Sequence, residues 1–227
     1  MSDLAVKKKA VYICFEGTEG VGKTTQVKEL ARILESRGLK VLSTKEPGSP
    51  HQPLTVELRA FVLDAKYADG MTALGREMIT QTIRAIHLEK LIAPALNQYD
   101  VIIQDRGIVS GFAYGRSFGH SAALLKNFMK MLLKLMPEDR REPKSVYDVV
   151  VRLKGSVSSG LKRAQACKQE YASGDFVEGQ GVRYMNKVTK QMDKIQAEFN
   201  TEEILVDGKS IEEVSREVLN TIEKYFK

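Results

Sequence analysis

Cys14–Gln26, CFEGTEGVGKTTQ, is the stretch that decides the fold of this chain. It carries a glycine, four further residues and then Gly-Lys-Thr, and so matches the phosphate-binding loop at every fixed position. An apolar run precedes it and a helical pattern follows it, as such a loop requires. Glycines let backbone N–H groups turn toward a phosphate, and the helix that begins at Thr24 adds the positive end of its dipole. The stretch therefore predicts a site for a nucleoside triphosphate.

The loop also predicts a donor nucleotide and a metal ion. Lys23 is expected to reach the β- and γ-phosphates of ATP, and the Thr24 hydroxyl to bind Mg²⁺. Kinases, GTPases and motor ATPases share such a loop, but the guanine-reading Asn-Lys-x-Asp is absent because residues 186–189 read NKVT. The residues predicted to bind ATP are Gly17, Thr18, Glu19, Gly20, Val21, Gly22, Lys23, Thr24 and Thr25.

Short apolar runs that alternate with helical patterns predict the architecture. Because the runs are almost wholly apolar, they are typical of strands covered on both faces of a parallel sheet. Strands that alternate with helices predict a three-layer α/β fold with five parallel strands. The runs are Ala10–Phe15, Lys40–Thr44, Asp100–Gln104, Asp148–Leu153 and Glu203–Val206. The helical patterns are Thr24–Arg37, Met78–Leu96 (broken late by Pro94), Ser121–Met136, Val182–Asn200 and Ile211–Phe226.

Length, composition and charge restrict the class of protein. The 227 residues suit one domain, 1–227, and the composition, 43% apolar and 28% charged, is that of an ordinary globular protein. The net charge of +6 favours an anionic ligand, nucleotide or nucleic acid, although lysines 7–9 could equally form a solvated tail. The start of the chain is too polar for a secretion signal, and no apolar run reaches membrane-spanning length. The two cysteines, at positions 14 and 167, show neither metal-ligand spacing nor a disulfide framework, so we expect a cytoplasmic protein.

A second motif follows the third predicted strand. VIIQDRGIVSGFAYG places Asp105 and Arg106 at the carboxyl end of that strand, where ligands bind in open α/β sheets. Asp105 is expected to hold Mg²⁺ through water, and Arg106 to grip a second phosphate with its bidentate fork. The alternative interpretation is that Asp105 caps the following turn.

Several motifs in order resemble those of the thymidylate kinase family. Lys45-Glu46-Pro47-Gly48 resembles the family's Arg-Glu-Pro-Gly, and Asp105-Arg106 with Ser110 and Ala113-Tyr114 resembles its Asp-Arg-Tyr…Ser…Ala-Tyr. FEGTEGVGKTT, LIAPAL, GLKRA and ILVDGKSIEEV extend the resemblance over residues 11–215. The resemblance implies a P-loop kinase fold with monophosphate-binding segments and a lid at about residues 155–181. It also implies transfer of the γ-phosphoryl group of ATP to dTMP with Mg²⁺.

The resemblance implies a role for individual residues. Arg106, helped by Arg59, would grip the acceptor phosphate; Glu19 would face the acceptor sugar beside Tyr114; Arg84 would hydrogen-bond a pyrimidine carbonyl. Phosphoryl transfer needs mainly positioning and charge neutralisation, so no general base is required and His87 is expected to be packed. The implied acceptor-binding set is Glu46, Pro47, Arg59, Thr80, Arg84, Arg106, Ser110, Gly111 and Tyr114. The implied catalytic set is Lys23, Arg106, Glu19 and Lys168.

The base pocket departs from the family pattern. The family's stacking Phe corresponds to Thr80, a polar residue after the Ser corresponds to Gly111, and Gln-Gly corresponds to Gly115-Arg116. Loss of an aromatic stack weakens base binding by about 1–3 kcal/mol. One hypothesis is an enlarged pocket for 5-modified pyrimidines or a broader set of deoxynucleoside monophosphates. The alternative is that an aromatic residue refills the pocket and dTMP remains the substrate; the candidates are Phe61, Tyr67, Phe112 and Tyr114.

The lid departs from the pattern as well. The second lid arginine, four residues after Arg163, is replaced by Cys167. Lys168 is our first choice for the charge that stabilises the transition state, and we expect Lys168→Ala to lower turnover far more than ATP affinity. Lys162, Arg163 and Arg183 are the other candidates.

Two other functions compete with the thymidylate kinase interpretation. One is a P-loop kinase with another acceptor, such as a broad set of monophosphates or a nucleotide within DNA. No aromatic-interleaved basic stripe supports DNA binding, so we expect nucleotides and neither nucleic acid nor membrane as partners. The other is an ATP-dependent switch, which needs no second phosphate site. Ser121–Met136 could support a homodimer, with core packing as the alternative.

Overall fold

Five parallel strands form the centre of the protein. A computed structural model describes residues 9–167 and 175–226. The strands lie in the order β2-β3-β1-β4-β5, and every neighbouring pair is parallel. The prediction of five parallel strands is confirmed, although the last one begins two residues earlier than predicted. The strands are β1 Val11–Glu16, β2 Val41–Lys45, β3 Val101–Asp105, β4 Val149–Lys154 and β5 Thr201–Leu205.

Helices cover both faces of the sheet. Alternate residues of β1 face opposite sides: Tyr12 and Cys14 join a core with α5, α6 and α9, whereas Ile13 and Phe15 join one with α1 and α10. Since both faces of the three central strands are buried, those strands are mostly apolar, whereas the edge strands β2 and β5 carry more polar residues. The helices are α1 Lys23–Ser36, α2 Pro53–Leu63, α3 Ala73–His87, α4 Ala93–Ala95, α5 Ile108–Ser117, α6 Ala122–Leu133, α7 Pro143–Val146, α8 Val157–Cys167, α9 Gly181–Ile195 and α10 Ile211–Ile222.

The helical pattern over Met78–Leu96 is not broken at Pro94 alone. A wider π turn, Leu88–Ile92, already replaces the α-helix between α3 and α4. Proline lacks an N–H and its ring crowds the carbonyl four residues earlier, so loosening the preceding turn accommodates it. The periodicity also missed α2 and α5. α5 carries no polar stripe because it is buried on almost every side.

The apolar stripe of α6 belongs to the core. Leu125, Met129, Leu132 and Leu133 are buried against the sheet and the neighbouring helices. Core packing therefore accounts for these four residues, while Met131 on the same helix is exposed and a homodimer stays a prediction. In the part of the chain that the structure describes, no helix combines the length and apolar character needed to cross a membrane.

Candidate functional site

The phosphate loop runs from the carboxyl end of β1 to the start of α1. Lys23 is buried, and its Nζ donates a hydrogen bond to the backbone oxygen of Thr18 at 2.6 Å. Burial, together with the positive charge of Arg106, lowers the pKa of Lys23 to about 8. A bound phosphate would add further negative charge beside this amine.

Helix α8 packs directly on the loop. Gly20 has a left-handed φ of 65°, and a Cβ there would overlap the backbone carbonyl of Gly160 in α8. Arg163, one turn further along α8, donates from Nε to the Gly20 carbonyl at 2.9 Å. The loop, Arg163 and residues 206–211 line one cleft, which we call the donor cleft. The basic helical piece expected within residues 155–181 is therefore α8, and it closes one side of this cleft.

Thr24 and Asp105 form an oxygen-rich pair in the donor cleft. The Thr24 hydroxyl donates to Asp105 Oδ2 at 2.6 Å, while Asp105 Oδ1 is buried without a hydrogen-bond partner among the described residues. Mg²⁺ prefers oxygen ligands and is commonly held by one or two carboxylates plus substrate phosphates. The orphaned carboxylate oxygen and the hydroxyl fit such an ion. Within residues 9–167 and 175–226, no cluster of three or more His, Cys, Asp or Glu forms a cage of protein ligands.

Arg106 stands where two clefts meet. Its backbone is left-handed, with φ at 66°, which is uncommon for a residue other than glycine and typical of functional sites. Nη1 donates to the Gly17 carbonyl at 2.8 Å, and Nη2 donates to Glu19 Oε1 at 2.9 Å. The Tyr114 hydroxyl donates to the same Glu19 carboxylate at 2.6 Å. Burial would raise the Glu19 pKa, but the charges of Arg106 and Lys23 outweigh it and lower that pKa.

Ser110 and Glu16 hold Arg106 from behind. Glu16, fully buried, accepts hydrogen bonds from the backbone N–H of Gly107 at 2.8 Å and of Ser110 at 3.0 Å, and also from the Ser110 hydroxyl. Ser110 Oγ in turn accepts from Arg106 Nη1 at 3.1 Å. Ser110 thus bonds to Arg106 and to Glu16, and so links the two. The sequence analysis missed Glu16, whose only signal is an acidic residue in an apolar strand just before the loop.

Arg84 is held in the second cleft, which we call the acceptor cleft. Its Nε donates to Glu46 Oε2 at 3.0 Å, and the other Glu46 oxygen lies 2.9 Å from His87 Nδ1. Burial favours a neutral Glu46, but the hydrogen bond and charge of His87 and the charge of Arg84 lower its pKa. His87 Nε2 contacts Thr44 Oγ1 at 3.0 Å. His87 is packed, as expected, yet it also supports the carboxylate that orients Arg84.

The room expected beside Gly111 and Gly115 is already filled. A Cβ on Gly111 would lie 2.5 Å from Arg84 Nη1, and one on Gly115 would lie 2.7 Å from Leu125 Cδ2. The guanidinium of Arg84 and a core leucine occupy these places, so these two glycines do not enlarge the pocket. Thr80 does line the cleft, and its hydroxyl donates to the backbone oxygen of Arg76 at 2.9 Å.

Of the four aromatic residues proposed to refill the pocket, one lines the acceptor cleft. That residue is Tyr114. Phe61 and Tyr67 pack on each other, with ring centroids 4.5 Å apart, and Phe112 belongs to the core. Phe118, which the sequence analysis missed, also lines the cleft. Its position one residue after α5 carries no periodic signal.

The remaining predicted residues fall into three groups. Arg59 lines both clefts and donates from Nη1 to the Pro47 carbonyl at 3.0 Å, which places it beside Glu46 and Arg106. Lys162 and Arg183 are exposed and line neither cleft, in contrast to Arg163. Lys168 lies outside the described residues.

The fold and the two adjoining clefts are those of P-loop kinases that act on nucleoside monophosphates. The model of the family described as "Thymidylate kinase" matches residues 15–218. The chain therefore belongs to the thymidylate kinase family.

Individual relatives agree with this assignment. A thymidylate kinase of Campylobacter concisus is 33% identical over 213 residues, which cover 93% of this chain and 98% of the relative. One of Prochlorococcus marinus is 28% identical, with 94% and 96% covered. The crystal structure of thymidylate kinase from Ehrlichia chaffeensis has the same fold, with a TM-score of 0.69 at 21% identity, and the match covers 94% of this chain and 99% of that one.

Proposed function

We propose that this protein transfers the γ-phosphoryl group of ATP to the phosphate of a pyrimidine deoxynucleoside monophosphate, with dTMP as the reference acceptor. In this reaction an oxygen of the acceptor phosphate bonds to the γ-phosphorus, the bond from that phosphorus to the bridging oxygen breaks, and ADP leaves. The observation that carries the proposal is the position of Arg106 at the junction of the donor and acceptor clefts. A nucleotide-dependent switch has no need of such a second cleft.

In this proposal the donor cleft holds ATP through the loop backbone and Lys23. The lowered pKa of Lys23 is restored when the phosphates provide a negative partner. Thr24 and Asp105 would hold Mg²⁺ against the phosphates. When bound, that ion neutralises phosphate charge during transfer. Arg163 reaches the loop from the lid and is our choice for additional positive charge near the γ-phosphate.

Three arginines of the acceptor cleft would bind different parts of the monophosphate. Arg106 and Arg59 line both clefts, so they can hold the acceptor phosphate near the donor. Glu19, bonded to Tyr114, would face the sugar. Arg84 is fixed by Glu46, which leaves its Nη groups to hydrogen-bond a base carbonyl. We expect the reaction to take place in the cytoplasm.

The test is ADP formation with ATP and Mg²⁺ in the presence of single monophosphates. We expect ADP formation that depends on the added monophosphate, with dTMP and dUMP accepted and purine monophosphates at least 10-fold poorer in kcat/KM. Lys23→Met should abolish turnover. Monophosphate-independent ATP hydrolysis, or equal use of purines and pyrimidines, would contradict the proposal.

A further inference from the structure

Arg76 is a buried cation that the proposed reaction does not use. It lies on α3, only 5% exposed, and lines the acceptor cleft. Its Nη1 and Nη2 are both buried and find no hydrogen-bond partner among the described residues. Buried polar groups in folded proteins are nearly always paired, so two unpaired donors on one guanidinium require an explanation.

The described neighbours of Arg76 pack against its guanidinium without accepting a hydrogen bond from either Nη atom. Arg76 Cζ lies 3.9 Å from the centroid of the Phe176 ring, so the ring covers one face of the guanidinium. The N–H groups lie in the guanidinium plane and remain available at its edges. Burial lowers the Arg76 pKa, and the nearby charge of Asp175, which lines the same cleft, partly opposes that effect. Arg76 is thus a buried cation in the lining of the acceptor cleft, with two donors that have no partner among the described residues.

Arg76, Thr80 and Arg84 follow one another on the same face of α3. They are spaced four residues apart, so each is one helical turn from the next, and Arg76 lies roughly 12 Å from Arg84 along the axis. Thr80, between them, has no aromatic ring, and its hydroxyl donates a hydrogen bond to the backbone oxygen of Arg76 within α3. Arg84, Thr80 and Arg76 all line the cleft, and Phe118 is also part of its lining.

We propose that Arg76 binds a hydrogen-bond-accepting substituent on C5 of the pyrimidine, and that a 5-hydroxymethyl pyrimidine monophosphate is the preferred acceptor class. This inference rests on the proposed function, in which Arg84 binds a base carbonyl. C5 adjoins the carbon that carries the 4-carbonyl, so a substituent there leaves the ring on the edge next to the atom that Arg84 binds. An oxygen on that substituent would satisfy the unpaired N–H groups of Arg76, whereas the methyl group of dTMP cannot.

The experiment separates polarity from size. Wild type and Arg76→Met are assayed with ATP, Mg²⁺ and three acceptors: dTMP, 5-ethyl-dUMP and 5-hydroxymethyl-dUMP, the last two having 5-substituents of similar size. In wild type we expect kcat/KM for 5-hydroxymethyl-dUMP to exceed that for 5-ethyl-dUMP by about 10-fold to 150-fold, the range for a hydrogen bond to a charged group. In Arg76→Met that ratio should fall to about one.

Controls keep the outcomes distinct. Arg32→Met removes an exposed charge on α1, where Arg32 pairs with Glu29 of the same helix, and should leave the ratio unchanged. Arg76→Leu, which also removes the donors, gives the same comparison if Arg76→Met does not fold. Equal use of the ethyl and hydroxymethyl compounds by wild type, or a wild-type ratio that survives in the Arg76 variants, overturns the inference while the kinase function stands. Absence of monophosphate-dependent ADP formation with every pyrimidine overturns both.

Discussion

In the proposed function Arg84 hydrogen-bonds the acceptor base, and replacing Gly111, which lies against its guanidinium, by alanine tests that role. A Cβ would lie 2.5 Å from Arg84 Nη1, whereas ordinary contact starts at 3.4 Å. The guanidinium must therefore move by about 1 Å. Arg84 is only 4% exposed and its Nε is bonded to Glu46 at 3.0 Å, so we expect the displacement to weaken that bond.

The expected loss follows from the contact that Arg84 would make with the base. A hydrogen bond from a charged donor contributes about 1.5–3 kcal/mol, so kcat/KM for dTMP should fall by roughly 10-fold to 150-fold. Overpacking should lower the free energy of unfolding by about 1–3 kcal/mol. The KM for ATP should be little affected because Gly111 does not line the donor cleft.

Steady-state kinetics with varied dTMP, together with urea unfolding, measure the two effects separately. Gly115→Ala is the matched control: it lies one turn later on α5 and crowds Leu125 instead of Arg84. It should lower stability to a similar extent and kcat/KM for dTMP much less. A folded Gly111→Ala protein that keeps kcat/KM within threefold of wild type would refute this account of Arg84.

Two further predictions concern the donor cleft. Because the Lys23 pKa is about 8 in the free protein and phosphates raise it, ATP binding should take up protons between pH 8 and 9, and ATP affinity should fall as the pH rises above 8. Calorimetry in two buffers of different ionisation enthalpy measures this uptake, and no difference between the buffers would exclude it. Arg163→Ala should lower kcat by about 100-fold or more with KM for ATP within threefold, whereas Lys162→Ala, an exposed neighbour outside the donor cleft, should change neither. Comparison with Lys168→Ala then decides which of the two lid residues supplies the charge, and equal kcat for wild type and Arg163→Ala would exclude Arg163.

The sequence determined the parts of the site that depend on local order. The loop Gly17–Thr24, the five strands and the position of Asp105 and Arg106 at a strand end all follow from spacing and apolar runs within short windows. Helices α2 and α5 were not predicted from the sequence because neither has a clear polar face opposite an apolar one. α5 is buried almost all round, and periodicity reports only on helices with one solvated side.

Contacts between distant residues were decided only by the tertiary structure. Glu46 and Arg84 are 38 residues apart and Glu16 and Ser110 are 94 apart, so no local pattern shows that either carboxylate orients a site residue. Sequence alone could predict loss of an aromatic ring at Thr80 and small residues at two helix positions. Only packing revealed that Arg84 and Leu125 fill the space beside those glycines.

Arg76 is the clearest case of a residue whose environment is set by the tertiary structure and cannot be read from the sequence. In the sequence it is one basic residue on a mixed helix, indistinguishable from a solvated arginine. The chain brings α3, α5 and residues 175–177 around one cleft, and this assembly buries the guanidinium against Phe176 with two donors unpaired. Burial and hydrogen-bond satisfaction are properties of the assembled neighbours. The sequence by itself therefore determined the phosphate-binding loop and the family motifs, and the tertiary structure decided which side chains line the second cleft.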